Sequence, residues 1–434
     1  LSIPRTMAID ERLLSRIRKE FPAAARDATG RKRAFLDNGA GTLVCRRAAQ
    51  AEARARIDWS ANTGNVFPES KGAEATILAG RQAVADLLNA EGPHAIVSGE
   101  SATSLLFHLS YALGRVFTDG GSVVMTAYEH HANVAPWTEL LRAGKVREVR
   151  YAEFDPTTFE LDLGKLARAV DGQTKVVAVA AASNFLGTCT DLREVGKIAH
   201  DAGALFVVDA VHDVCHRATD VRAIGADALV FSGYKFFSRH GSFLYLRPDL
   251  LASLTPYKVE PSPNVGPERW EWGTRDQALF AAIAGAVDHV ACLAAPAGQE
   301  APRSGAARRA ALGKAMEAIE AYEAALSRTV LEGDGRWPGL RHIPGLTLYG
   351  PPGIPAAGRD PTFSFRLAGR EDTDVARVLY SKYGLAVGAE DYFSRVPALF
   401  GLKTALRATF VHYNTPDDAS GLLRALHKLA RKDR

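Results

Sequence analysis

Short apolar runs separated by longer amphipathic stretches set the rhythm of this chain. Ala95-Ile96-Val97, Ser122-Val123-Val124-Met125-Thr126, residues 174–182, Leu205-Phe206-Val207-Val208 and Ala228-Leu229-Val230-Phe231 have strand length and are almost wholly apolar. Strands covered on both faces read this way, whereas half-exposed strands alternate. Between them, residues 48–57, 73–89, 104–117, 191–202 and the stretch ending at Leu141 carry apolar positions at helical spacing. The alternation predicts a parallel or mixed sheet with helices on both faces. Ahead of it, residues 9–21 read as a surface helix with Asp10 in its first turn. Residues 33–37 read as a short strand closed by the turn 38–41, residues 62–68 as a loop, and 146–151 as a further strand.

The texture changes after Pro256. Pro261, Pro263 and Pro267 mark an irregular loop, residues 277–293 a long helix, and the Pro- and Gly-bearing stretch 296–304 a linker. Beyond it come a helix over 306–331, short strands at 346–348, 362–366 and 406–411, and helices at 374–383 and 416–429, the pattern of a smaller α+β domain. The expected organisation is an N-terminal helical segment (1–30), a large domain (31–295) and a small C-terminal domain (296–434). Met7 reads as a natural start, with residues 1–6 appended ahead of it.

Composition narrows the class. Of 434 residues, 47% are hydrophobic and 24% charged, ordinary for a globular enzyme. The net charge of +4, from 53 basic and 49 acidic residues, is spread along the chain, and no basic patch with interleaved aromatics points to nucleic acid. The longest apolar helix-like stretch, 279–295, carries Asp288 and His289 and falls short of a membrane span. The four cysteines form no CxxC pair, which argues against a zinc ribbon or redox motif and fits a reducing cytoplasm.

Candidate chemistry lies where the apolar runs stop. In α/β sheets, ligands sit beyond the carboxyl ends of the strands. One run ends at Asp209 and another at Ser232-Gly233-Tyr234-Lys235. A lysine so placed can form a Schiff base, and an acid nearby can protonate a pyridine nitrogen. The plainer alternative is a lysine opening an exposed loop and an aspartate capping a helix. Residues 98–104 suit either a phosphate at a helix N-terminus or an ordinary N-cap. His130 and His131 are adjacent and point apart, unlike a metal-chelating pair. His212 and His216 are four apart and, if helical, could chelate zinc, which keeps a metal-dependent hydrolase as the alternative chemistry. A phosphate-type turn, a histidine able to stack, an asparagine, an acid and a serine–lysine pair follow one another at strand ends, in the order that suits pyridoxal phosphate.

The motifs EHHANVAPW (129–137), SNFLGT (183–188), DAVH (209–212) and SGYK (232–235) resemble those of the class V aminotransferase group of fold type I pyridoxal-phosphate enzymes, the cysteine desulfurases in particular. The resemblance runs from Phe35 to Thr415. It implies a seven-stranded, mainly parallel sheet sandwiched by helices, a smaller α+β C-terminal domain, and pyridoxal 5'-phosphate as cofactor. By position, Lys235 would carry the cofactor as a Schiff base, Asp209 would pair with its ring nitrogen and His130 would stack on its face. Asn184 and His212 would meet its phenolic oxygen. Glu100 and Ser101, by backbone, with Ser232 and Tyr234 would hold its phosphate. Thr274 would complete the partner subunit's phosphate site in a homodimer. Arg407 would bind the carboxylate of an amino-acid substrate, with Asn38 and Tyr392 beside it and residues 65–67 reaching in from the other subunit. Where desulfurases carry a sulfur-accepting cysteine, this chain has Val387-Gly388-Ala389-Glu390-Asp391-Tyr392-Phe393, without cysteine or histidine. The expectation is a desulfurase-like lyase acting by C–S or other β-elimination without a persulfide cysteine. The alternatives are a class V aminotransferase or an amino-acid epimerase. Cys215 is expected to be packing within a helix after Asp209.

Overall fold

The computed structural model describes residues 7–354 and 358–431. Residues 1–6, expected to precede a natural start, lie outside the described residues. Strands in chain order are β1 (Ala34–Phe35), β2 (Ile96–Gly99), β3 (Ser122–Thr126), β4 (Glu148–Ala152), β5 (Thr174–Ala180), β6 (Leu205–Asp209), β7 (Ala228–Ser232), β8 (Ser242–Leu246), β9 (Leu346–Tyr349), β10 (Thr362–Leu367), β11 (Leu385–Ala386), β12 (Gly388–Glu390) and β13 (Ala405–Thr409).

Seven of them form one sheet in the order β2-β8-β7-β6-β5-β3-β4. β8 runs antiparallel to both its neighbours and every other pairing between adjacent strands is parallel. Successive side chains of a strand point to opposite faces. Phe206 and Val208 of β6 and Leu229 and Phe231 of β7 pack into one hydrophobic core, while Val207, Ala228 and Val230 pack into a second core on the other face. Both faces are therefore covered, which explains the continuous apolar runs. The sequence pattern did not mark β8, whose Ser242 and Tyr245 interrupt the apolar residues.

Helix ends are set locally. Asp10 accepts from the Leu13 N–H at the start of the helix Glu11–Glu20, and Asp191 from the Glu194 N–H at Leu192–Asp201. Each satisfies an N–H that the first turn leaves without a partner. The helix Pro68–Leu88 ends at Asn89 in the left-handed conformation. The segment after β6, expected to be helical around Cys215, is a turn instead. Asp209 Oδ1 accepts from the Val211 N–H at 2.9 Å, and the side chains that follow are held by distant partners rather than by a helical ladder.

The C-terminal unit holds the four-stranded sheet β12-β13-β10-β9, the helix Gly305–Glu332 and the helix Pro416–Ala430. Residues 34–36, expected in the large domain, are placed with this unit. β1 pairs in parallel with β11, and Ala34 and Leu36 lie in the core of the C-terminal unit. The N-terminal helix is not a separate segment, since Leu13 and Ile17 sit in the core of the large unit. No helix among the described residues is long and apolar enough to cross a membrane.

Candidate active site

The carboxyl ends of β2, β3, β5, β6 and β7 open on one cavity, lined by residues that include Ser101, Thr103, His130, Asn184, Asp209, His212, Ser232, Tyr234 and Lys235. Nine residues scattered over more than a hundred positions meet because parallel strands place all their C-terminal ends on one edge.

Lys235 sits in a single 3₁₀ turn, Gly233–Lys235, directly after β7. The turn is fixed from outside: the Thr42 N–H donates to the Tyr234 carbonyl at 3.1 Å, and the Phe237 N–H donates to Thr42 Oγ1 at 2.9 Å. Burial, with Arg407 adding to it, pushes the Lys235 ammonium down to about 8. Burial pushes Asp209 up to about 6 against the pull of the Val211 N–H and Lys235. His130 Nδ1 accepts from the Ala132 N–H at 3.0 Å. Burial first, then Lys235, holds His130 down to about 3, so the ring that lines the cavity is neutral.

Of the residues expected to hold the phosphate, Ser101, Ser232 and Tyr234 line the cavity. Glu100 is exposed and is not part of the cavity wall. The Ser101 N–H is taken by Ser104 Oγ at 3.1 Å, and Ser101 Oγ accepts in return from the Ser104 N–H. The N–H groups without an intrahelical acceptor at this end of the helix Ala102–Gly114 are those of Ala102 and Thr103, both in the wall. Thr103 was missed; its place in the polar run 98–104 is the only trace of it in the sequence.

Three substrate-side expectations also change. Asn38 does not reach the cavity. Its Nδ2 donates to the Thr409 carbonyl at 2.7 Å and to Asn414 Oδ1 at 3.2 Å, while its Oδ1 accepts from the Tyr413 hydroxyl. Tyr392 is buried, and its hydroxyl donates to the Ala405 carbonyl at 3.1 Å, leaving none for a ligand. Its ring instead lies 3.7 Å from Arg407 Cζ. Arg407 is 1% exposed and stands behind the wall rather than in it. It donates through Nη1 to the Asn184 carbonyl at 2.8 Å, and its Nε has no partner. Gly39 permits this packing, since a Cβ there would come within 2.9 Å of Arg407 Cζ. Thr274 lies in a separate groove with Arg81, Val259 and Arg275.

His212, His216 and Asp360 bring one possible ligand atom each to within 4.8 Å of one another. The surroundings disfavour a cation. The Arg217 guanidinium reaches Asp360 Oδ1 at 3.3 Å and Asp213 Oδ1 at 2.8 Å. His216 Nδ1 meets Glu323 Oε2 at 2.8 Å. Burial opposes charging of His216, but Cys215, Glu323 and Asp360 outweigh it and hold its pKa well above the ordinary value. The acids are thus neutralised by the protein's own cations.

The cavity fits pyridoxal phosphate on its own terms. It offers a buried lysine of lowered pKa, an acid at the neighbouring strand end, a helix N-terminus with free N–H groups, and the buried Asn184 Oδ1 without a partner. On a sheet of this topology, that set defines a pyridoxal-phosphate enzyme of fold type I. The chain belongs to the family described as Aminotransferase class-V, whose profile matches residues 34–293. It is similar to the cysteine desulfurase of Serratia proteamaculans (strain 568), 28% identical over 434 residues that cover 96% of this chain and 98% of that one. It is 29% identical to the cysteine desulfurase of Klebsiella pneumoniae (strain 342), with 96% and 98% covered. The apo cysteine desulfurase of Thermococcus onnurineus NA1 has the same architecture, with a TM-score of 0.81, 24% identity, and 98% of this chain and 100% of that chain covered. The Escherichia coli cysteine desulfurase CsdA superposes with a TM-score of 0.76 at 23% identity, with 96% and 98% covered.

Proposed function

We propose that this enzyme eliminates a β-substituent, in the first instance a sulfur group, from an amino-acid substrate without passing the sulfur to a cysteine of its own. The observation that carries this reading is the cavity wall: it contains Lys235, Asp209 and His130 but no cysteine, and all four cysteines are buried. The stretch at the position of the family's sulfur-accepting cysteine runs from β12 into a turn where Tyr392 and Phe393 have φ of 56° and 50°.

Pyridoxal phosphate, when bound, supplies an electron sink for negative charge developing at the substrate Cα. Lys235, which the buried site holds near 8, would take the proton from that carbon close to neutral pH and give it to the departing sulfur, which leaves as a free thiol. Asp209, at the carboxyl end of β6, would hold the proton on the cofactor's ring nitrogen. Neutral His130, in the same wall, would stack on the ring. One Asn184 N–H goes to the Tyr392 carbonyl at 2.9 Å, and the second remains for an anionic oxygen. The phosphate is held by Thr103 and Ala102 with Ser232 and Tyr234. Arg407, the buried cation behind the Asn184 carbonyl, would have to swing toward the cavity to meet the substrate carboxylate. The enzyme works as a cytoplasmic homodimer in which Thr274 reaches the partner's phosphate. Exposed Val259 lines that groove, and exposed Trp272, which donates to the Tyr257 carbonyl at 2.7 Å, stands next to it in the chain, apolar groups that a second copy would cover.

The test is reconstitution with pyridoxal phosphate and a screen of S-substituted cysteines. Pyruvate, ammonium and free thiol are expected in equal amounts, and a variant with all four cysteines replaced should keep most of the turnover. Amino-group transfer to a keto acid, racemised substrate, or inactivation traced to one cysteine and prevented by substrate would each overturn the reading.

A further inference from the structure

His212 stands in the cavity wall, yet the turn that carries it is held by the C-terminal unit. His212 Nε2 lies 2.8 Å from Thr362 Oγ1 at the start of β10. Thr362 Oγ1 lies 3.0 Å from Thr409 Oγ1 on β13. Further along the turn, His216 is paired with Glu323 on the helix Gly305–Glu332, and Arg217 with Asp360 just before β10. Thr362 and Thr409 are 0% and 1% exposed, away from bulk solvent, while His212 borders the cavity.

Burial first, then Lys235, His216, Arg407 and His130 facing it, keep His212 neutral. A neutral imidazole has one N–H and one bare nitrogen, and a hydroxyl has one hydrogen to donate. Two arrangements of the chain are available. If Thr409 donates to Thr362 and Thr362 donates to His212 Nε2, every hydroxyl hydrogen has an acceptor. If the ring donates from Nε2, the hydrogens run the other way and end on Thr409. Among the described residues Thr409 Oγ1 bonds to Thr362 and to nothing else, so that last hydrogen would be buried without an acceptor. The first arrangement gives both hydroxyl hydrogens an acceptor and leaves His212 Nδ1–H to the cavity, whereas the second strands the Thr409 hydrogen in the interior.

We infer that Thr362 is a positioning residue for the active site: by donating to His212 Nε2 it fixes the proton of His212 on Nδ1, so that strands β10 and β13 of the C-terminal unit decide whether His212 offers the cavity a donor or an acceptor. This rests on the proposed placement of His212 beside the cofactor's phenolic oxygen. A donor there favours the anionic oxygen, and a bare nitrogen opposes it.

The tautomer is measured first, by ¹⁵N NMR of selectively histidine-labelled apoprotein, with the His212 signals assigned by their loss in His212→Gln. Protonated Nδ1 is expected in the native enzyme. Protonated Nε2 overturns the inference with no variant needed. Thr362→Val, which keeps the shape and removes the donor, is expected to shift the tautomer toward Nε2–H, and Thr362→Ser to restore Nδ1–H. In the cofactor-loaded enzyme, Thr362→Val should raise the pH midpoint of the lysine-bound cofactor's visible transition by about one unit, the size of one lost hydrogen bond. A folded Thr362→Val protein with unchanged NMR signals and midpoint refutes the role. Protein that takes up no pyridoxal phosphate would refute the proposed function instead, leaving the NMR result to stand by itself.

Discussion

Replacing Glu271 by Gln should unlock the base of the phosphate-side turn. Glu271 is 4% exposed and Arg81 3% exposed. Glu271 Oε2 accepts from Arg81 Nη2 at 2.7 Å. Its Oε1 accepts from both the N–H and the hydroxyl of Ser98, each at 2.7 Å. Gln can keep the Ser98 bonds through its carbonyl oxygen, but then points an NH₂ at a guanidinium 2.7 Å away. The remaining acid near Arg81, Glu268, is 3.5 Å off and half exposed. Removing one member of a buried pair leaves an uncompensated charge, at about 3–5 kcal/mol. Replacing both members costs less than the two single changes summed, because no unpaired charge remains to be desolvated. The assay is a double-mutant cycle in urea with Glu271→Gln, Arg81→Met and the pair, each followed by circular dichroism. A coupling of at least about 2 kcal/mol is expected. Ser98 lies in β2, just ahead of the turn carrying Ala102 and Thr103, so Glu271→Gln should also weaken pyridoxal-phosphate affinity several-fold. A cost under about 1 kcal/mol, or additive single effects, would refute the claim that this pair is a buried, interdependent unit.

Lys235→Ala should lower turnover about 10²–10⁴-fold while leaving the fold intact, as checked by steady-state rates and circular dichroism, and borohydride should no longer fix the cofactor to the chain. Tyr392→Leu removes the ring 3.7 Å from Arg407; with a desolvated cation–π contact worth about 2 kcal/mol, KM should rise about thirtyfold with little change in kcat, whereas Tyr392→Phe should stay near wild type. An unchanged KM in Tyr392→Leu would separate Arg407 from substrate binding. His289 Nε2 meets His412 Nε2 at 3.1 Å, and burial, then Arg47, holds His289 down to about 3. Its folded pKa lies below the unfolded value, so the unfolded chain binds more protons and the native state loses stability as pH falls below about 6.5. The stability difference between wild type and His289→Gln should therefore shrink by about 1.4 kcal/mol per pH unit from pH 6.5 toward 4. A pH-independent difference in urea titrations would show that His289 is not buried as a neutral ring.

Much of the large unit was legible because its strands are covered on both faces, which writes them as unbroken apolar runs. Asp209 and Lys235 stood out because polar groups directly after such runs fall on the ligand edge of a parallel sheet. The less regular pieces were not legible. β1 is two residues long and exists only through β11, far along the chain. β8 is fully buried, but its polar residues bond to distant partners, Ser242 to Ser232 and Tyr245 to Glu91, and so break the apolar run. Asn38 and Tyr392 looked available to a substrate by position, but their hydrogen-bonding atoms are consumed by Thr409, Asn414, Tyr413 and Ala405.

The sequence by itself determined the sheet, its ligand edge and the identity of the groups placed there, because burial on two faces and strand polarity are local patterns with a fixed spatial meaning. Only the tertiary structure decided which of those groups remain free to act. His212 and Thr362 are 150 residues apart in the chain, and Arg407 and Asn184 are separated by 223. A hydrogen bond between such residues fixes a proton or a guanidinium, yet leaves no periodicity in the sequence.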